Sequence, residues 1–153
     1  MSVTAWRIVK QRQARTAFTG EGARLFGGRW NSPGSAVIYT AQSQSLAALE
    51  MLVHLESSDL LPNYILFEVG IDETLIVSIE LSQLPKNWRS NPPPATVRAI
   101  GDAWVLDSTS AVLRVPSALV PDENNFLLNP RHGDFPQLRI GKAVPFRFDP
   151  RLT

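Results

Sequence analysis

The sequence predicts an α+β fold, and three observations carry that expectation. Apolar residues make up 44% of 153 positions, enough for one ordinary domain to bury a core of its own. The strand-like and helix-like runs follow the order β–loop–β–α–β–β–α–β–β, which lacks the regular βαβα alternation of a doubly wound fold. The 12 prolines include Pro92-Pro93-Pro94 and are spread through the second half. Proline interrupts helices and central strands, so that half is expected to hold short strands and loops. No internal repeat, low-complexity tract or linker divides the chain, so residues 1–153 are expected to form a single domain.

Each element has a local cause. Residues 3–9 (VTAWRIV) read as an opening strand, and the Gly-rich, polar and basic stretch 16–34 reads as an extended loop. Residues 36–41 (AVIYTA) form a short β-prone run. Ser43 or Ser45 can then cap a helix over about 44–57, a segment made mostly of strong helix formers. Residues 64–71 and 74–80 are two strands joined by a tight Asp72-Glu73 turn. Residues 95–107 form a second helix, weakened by Gly101. A strand over 109–115 is broken by Pro116-Ser117, and the tail QLRIGKAVPFRF reads as two short strands around Gly141-Lys142.

Composition also excludes function classes. The formal net charge is +1, without the basic stripe of a general nucleic-acid binder or the polybasic run of a membrane anchor. There is no cysteine, so disulfides, thiolate catalysis and Cys-based zinc sites are ruled out. The N-terminus lacks a hydrophobic signal core and no apolar run approaches the length of a membrane span, which makes the cytoplasm the expected location.

Glu50 is the most telling residue. Its immediate neighbours in Leu46-Ala47-Ala48-Leu49-Glu50-Met51-Leu52-Val53 are all apolar, and on a helix Leu46, Ala47 and Val53 share its face. Either the helix is amphipathic and Glu50 lies on its solvent strip near His54, or the carboxylate is partly desolvated and faces a cleft. Upstream, Arg24, Gly27, Gly28, Arg29 and Trp30 suit a phosphorylated ligand. Glycines admit close backbone approach, arginine matches phosphate oxygens with a planar fork, and the indole serves as a wall. The bland alternative is a plain turn with an exposed Arg and a core Trp. There is neither a GxGxxG fingerprint nor a Walker loop. Tyr39 lies in the strand that feeds the Glu50 helix, and reads equally as a core aromatic. Ser117 follows a strand and a proline with no GxSxG elbow around it. Glu50 and His54, one helical turn apart, are a thin basis for a metal site, since HExxH is absent and no third ligand is evident; a metal hydrolase that adds His132 is a competing reading, and no metal is expected.

Taken in order, these stretches resemble the RES domain, named for an Arg, a Glu and a Ser. The matching stretches are Trp6-Arg7-Ile8, Gly22-Ala23-Arg24, Gly27-Gly28-Arg29-Trp30-Asn31, Val37 to Ala41, Ala47 to Leu55, Val115-Pro116-Ser117 and Asn125 to Pro130. Pro85 to Asp107 matches least clearly. The resemblance implies an ADP-ribosyltransferase-like split β-sheet with a few flanking helices around an NAD cleft. It implies the toxin of a bacterial toxin–antitoxin pair, blocked by an Xre-like antitoxin, that breaks the nicotinamide–ribose bond of NAD by hydrolysis or phosphorolysis. NAD is then a consumed substrate and not a recycled cofactor, with inorganic phosphate a candidate acceptor; protein ADP-ribosylation is the same-fold alternative. Carried over by motif, Arg29, Tyr39 and Glu50 are the catalytic trio. Ser117, Arg7, Trp30 and Asn125 are the substrate-binding candidates. A non-catalytic binding module, such as a DNA-binding regulator, is the reading from a different class, and the flat charge argues against it.

Overall fold

The computed structural model describes residues 1–55 and 63–152. Its strands are β1 (Ser2–Lys10), β2 (Ile38–Ala41), β3 (Tyr64–Asp72), β4 (Ile76–Ser78), β5 (Val112–Pro116), β6 (Asn124–Leu128), β7 (Arg139–Ile140) and β8 (Val144–Phe146). The α-helices are α1 (Glu21–Phe26), α2 (Gln44–Leu52) and α3 (Ala95–Leu106). The sheet runs β4-β5-β6-β2-β1-β3-β7, with β8 also paired to β3. Among the described residues only β4 and β5 pair in parallel. A mixed sheet with few helices is the α+β arrangement expected. No helix among the described residues is long and apolar enough to cross a membrane.

Alternation along the strands builds two apolar layers. On one face Ile38, Phe126, Leu128 and Val112 pack with Val69 and Ile71. On the other, Val37, Leu127, Leu113 and Val115 receive Val97 and Trp104 of α3, together with Trp30 and Trp88. Each side chain of this size contributes ~1.5–3 kcal/mol when fully buried. α2 docks separately: Leu46 and Ala47 pack on Ile8, Ala41, Tyr64 and Leu66.

Four local expectations are corrected. The stretch 16–34 is not wholly extended: α1 lies within it, and a 3-10 turn (Gln11–Thr16) leads into it. α1 has six residues and no side-chain cap, its N-cap being Gly20 in the left-handed region, so Glu21 in its first turn is a weak start signal standing without a capping side chain. The segment 74–80 contains only the short β4, which leaves β3 by a 3-10 turn (Glu73–Leu75) and pairs with β5 at the other end of the sheet. The Asp72 carboxylate starts that turn by accepting from Thr74 N at 2.9 Å and Thr74 Oγ1 at 2.8 Å. β6 occupies the middle of the sheet although it begins with two strand-poor asparagines. Ser43 proves to be the cap of α2, accepting from Leu46 N at 3.0 Å. α2 ends at Leu52; the expected positions 56 and 57 lie outside the described residues.

Gly101 has a use that its poor helix propensity hides. A Cβ there would lie 1.6 Å from the Trp30 carbonyl oxygen, so the loop that carries Arg29 and Trp30 rests directly on the backbone of α3. Ala is the better helix former by ~1 kcal/mol, yet Gly101→Ala is expected to destabilise the fold by about 2–3 kcal/mol, because loop and helix must separate. Urea unfolding followed by circular dichroism measures it; a variant as stable as wild type would show that the close approach does not matter.

Candidate active site

The site starts from a tight turn. Gly28 N donates to the Asn31 carbonyl at 2.9 Å, and Gly27 adopts a φ of 74° that disfavours any side chain. A Cβ on Gly28 would sit 2.6 Å from Tyr39 Oη. The two glycines therefore let the turn close onto the tyrosine. Tyr39 Oη accepts from Trp30 N at 3.1 Å and donates to Asn31 Oδ1 at 2.5 Å. Asn31 is 0% exposed, and its Nδ2 serves the carbonyls of Ala23, Ser32 and Ser35 at 3.0–3.2 Å. Asp102 of α3 fixes the far side of the turn, its Oδ1 accepting from Ser32 N at 2.8 Å. Burial pushes the Tyr39 phenol above the usual tyrosine value, so it stays protonated and able to donate.

The turn carries Arg29 out on one side. Its Nη1 donates to the carbonyls of Trp88 at 3.1 Å and Ser90 at 2.8 Å. Burial lowers the guanidinium below its usual value, and the negative charge of Glu50 pulls the other way. An arginine remains protonated under any such shift. Arg29 thus lies in the field of the Glu50 carboxylate, on the turn that closes onto Tyr39.

Glu50 is half-buried on α2, at the border between buried Leu46 and Ala47 and exposed Leu49 and Val53. Of the two sequence readings the solvent strip is the one corrected: the carboxylate is partly desolvated, although Val53 beside it is exposed. Ser117 Oγ donates to Glu50 Oε1 at 3.1 Å. The same hydroxyl oxygen accepts from Leu119 N at 3.1 Å and Val120 N at 3.2 Å. Ser117 is 0% exposed. Its expected contact with substrate is corrected: the hydroxyl is spent on the carboxylate and on the turn that follows β5.

The other expectations divide. Trp30 is 2% exposed and is no pocket wall; its ring packs in the α3 layer, with its centroid 6.4 Å from that of Trp88. Asn125 Nδ2 donates to the Thr40 carbonyl at 3.1 Å, bracing β6 against β2. Arg7 acts on the same strand. β1 and β2 share one ladder pair, Trp6 opposite Ala41, and beside it Arg7 Nη1 donates to the Tyr39 carbonyl at 2.8 Å and Nε to the Ala17 carbonyl at 2.7 Å. Burial lowers Arg7 to about 10, so it is charged at neutral pH with no carboxylate paired to it among the described residues. His132 Nδ1 accepts from Asp134 N within its own loop, and no group of three metal-ligating side chains forms among the described residues. Asn31 and Asp102, which hold the turn, were missed. A signal for Asn31 existed in its place directly after a Trp in a Gly-rich turn; Asp102 carried none.

The RES domain family model matches residues 4–149. A protein called Toxin Res from Yersinia enterocolitica is 48% identical over 149 residues, covering 96% of this chain and 97% of its own. A Prs ADP-ribosylating toxin from a Sphingobium species is 36% identical over 157 residues, covering 99% of this chain and 98% of its own. A chain of the crystal structure of the Mycobacterium tuberculosis MbcT–MbcA toxin–antitoxin complex superposes with a TM-score of 0.77 at 22% identity, covering 96% of this chain and 85% of that one. That likeness is one of fold.

Ser117→Ala is expected to lower stability by ~1–3 kcal/mol, since two backbone N–H groups lose their acceptor and Glu50 loses its donor. Equilibrium unfolding in urea measures the loss; an unchanged midpoint would mean that the hydroxyl holds nothing.

Proposed function

The chain belongs to the RES domain family, and from that premise we propose that it is the toxin of a toxin–antitoxin pair and that it consumes NAD by breaking the nicotinamide–ribose bond. One observation carries the reading: Ser117 braces Glu50, whose charge acts on Arg29, and the turn that carries Arg29 closes onto Tyr39.

The chemistry suits these groups. When the C1′–N bond breaks, the electron pair goes to the nicotinamide ring and cancels its positive charge, while C1′ becomes oxocarbenium-like. A fixed carboxylate stabilises positive charge where it develops, and does so best when it needs no reorganisation. Ser117 supplies that fixity to Glu50. An acceptor oxygen then bonds to C1′; if the acceptor is water, its proton passes to solvent or to the carboxylate. Arg29 takes the diphosphate or an incoming phosphate. Tyr39, its hydroxyl tied down at Trp30 and Asn31, offers a ring face to nicotinamide. No metal or recycled cofactor takes part. A protein acceptor is the second reading, favoured by the name of the Sphingobium relative. An antitoxin partner of Xre type is carried over from the family, and the MbcT–MbcA complex, a toxin–antitoxin pair, supports an antitoxin partner.

Glu50→Gln is expected to fold normally and to lose about 100-fold or more in turnover, the order found when one preorganised electrostatic group is removed. Nicotinamide release by purified wild type and variant measures it, and equal rates would remove Glu50 from the mechanism. Arg29→Lys is expected to raise the KM for NAD, because a point charge replaces a fork that already spans two carbonyls; unchanged kcat and KM would count against it. Product analysis with and without phosphate separates ADP-ribose from its 1-phosphate, and labelled NAD added to lysate reveals any modified protein.

A further inference from the structure

We propose that Arg89 is a second anion-gripping side chain of this site, forming with Arg29 a two-guanidinium seat for a phosphate group: the diphosphate of a dinucleotide or free inorganic phosphate. The identity of the ligand rests on the NAD reading above; the existence of the seat does not.

The geometry is a closed circuit. Arg29 Nη1 bonds the carbonyls of Trp88 and Ser90, the two residues that flank Arg89. Arg89 Nε in turn donates to the Ala118 carbonyl at 2.7 Å, one residue beyond the Ser117 that braces Glu50. The 88–90 loop therefore ties the Arg29 turn to the Ser117 turn, with Arg89 between the two residues whose carbonyls Arg29 bonds. Trp88 anchors the loop from below, buried in the α3 layer beside Trp30.

Two features separate an anion seat from a simple loop anchor. An anchor needs one donor, whereas a guanidinium brings five. Arg89 is exposed, spends Nε on Ala118, and shows no protein partner for its Nη groups among the described residues. The second feature is charge. Arg29 and Arg89 repel each other, which adds to the burial that already disfavours the charge on Arg29, and among the described residues neither forms an ion pair. Like charges held together by main-chain bonds are relieved by an anion placed between them, and planar forks match phosphate oxygens.

The test uses the purified full chain, with inorganic pyrophosphate and inorganic phosphate titrated separately by calorimetry into wild type, Arg89→Gln and Lys86→Gln, the last removing an exposed cation nearby. Arg89→Gln is expected to weaken binding of at least one anion about tenfold, the order of one charge-assisted contact, while Lys86→Gln does not. Loss confined to pyrophosphate assigns the seat to a dinucleotide; loss of phosphate assigns it to a free acceptor. Equal affinities in wild type and Arg89→Gln, equal losses in both variants, or no binding by wild type would overturn the proposal. Turnover is scored separately: absence of nicotinamide release from wild type defeats the NAD reading and leaves the anion titration to judge Arg89. Where turnover exists, the variant is expected to raise the KM for NAD or phosphate by more than it lowers kcat.

Discussion

The hydrogen bond from Ser117 to Glu50 is the constraint on which the rest of the site depends. α2 reaches the sheet through an apolar patch at Leu46 and Ala47, and a greasy contact alone would let the helix roll by several degrees. The carboxylate is fixed because the hydroxyl that meets it is itself held by two backbone N–H groups. Ser117 closes β5, and the turn after it is stapled by Ser117 N to the Glu123 carbonyl at 2.9 Å. Glu123 also reaches α2, its Oε1 accepting from the cap Ser43 at 2.9 Å. One short turn thus sets both the start of α2 and the acid within it.

The opposite wall follows a different logic, one of close backbone approach. Gly28 lies against Tyr39, and Gly101 lies against Trp30. Removing two Cβ atoms lets a loop be clamped between a strand and a helix, and Asn31 and Asp102 satisfy the polar groups that the clamp buries. Unpaired polar groups there would cost free energy, so glycines and polar partners come as a set. Arg7 completes it by bonding the Tyr39 carbonyl from the neighbouring strand.

The class of fold, the ends of the chain and the acid were legible because each has a local cause. A carboxylate in an apolar helical window stands out whatever surrounds the helix. β6 was not legible, since Asn124 and Asn125 carry turn chemistry that the centre of a sheet overrides through Leu127 and Leu128. Trp30 was misread because an indole beside an arginine in a loop looks the same whether it faces a ligand or the core; only α3 packing over it decides. Arg89 escaped notice in a proline-flanked stretch with no periodicity, and its meaning lies in carbonyl contacts that a one-dimensional pattern does not record.

The claim underneath all of this is that a braced carboxylate stabilises a positively charged ribose. The most direct measurement is a proton NMR time course of purified wild-type protein mixed with NAD. Free nicotinamide is predicted to appear in step with the loss of NAD. Intact NAD after prolonged incubation with folded, antitoxin-free protein would contradict the account.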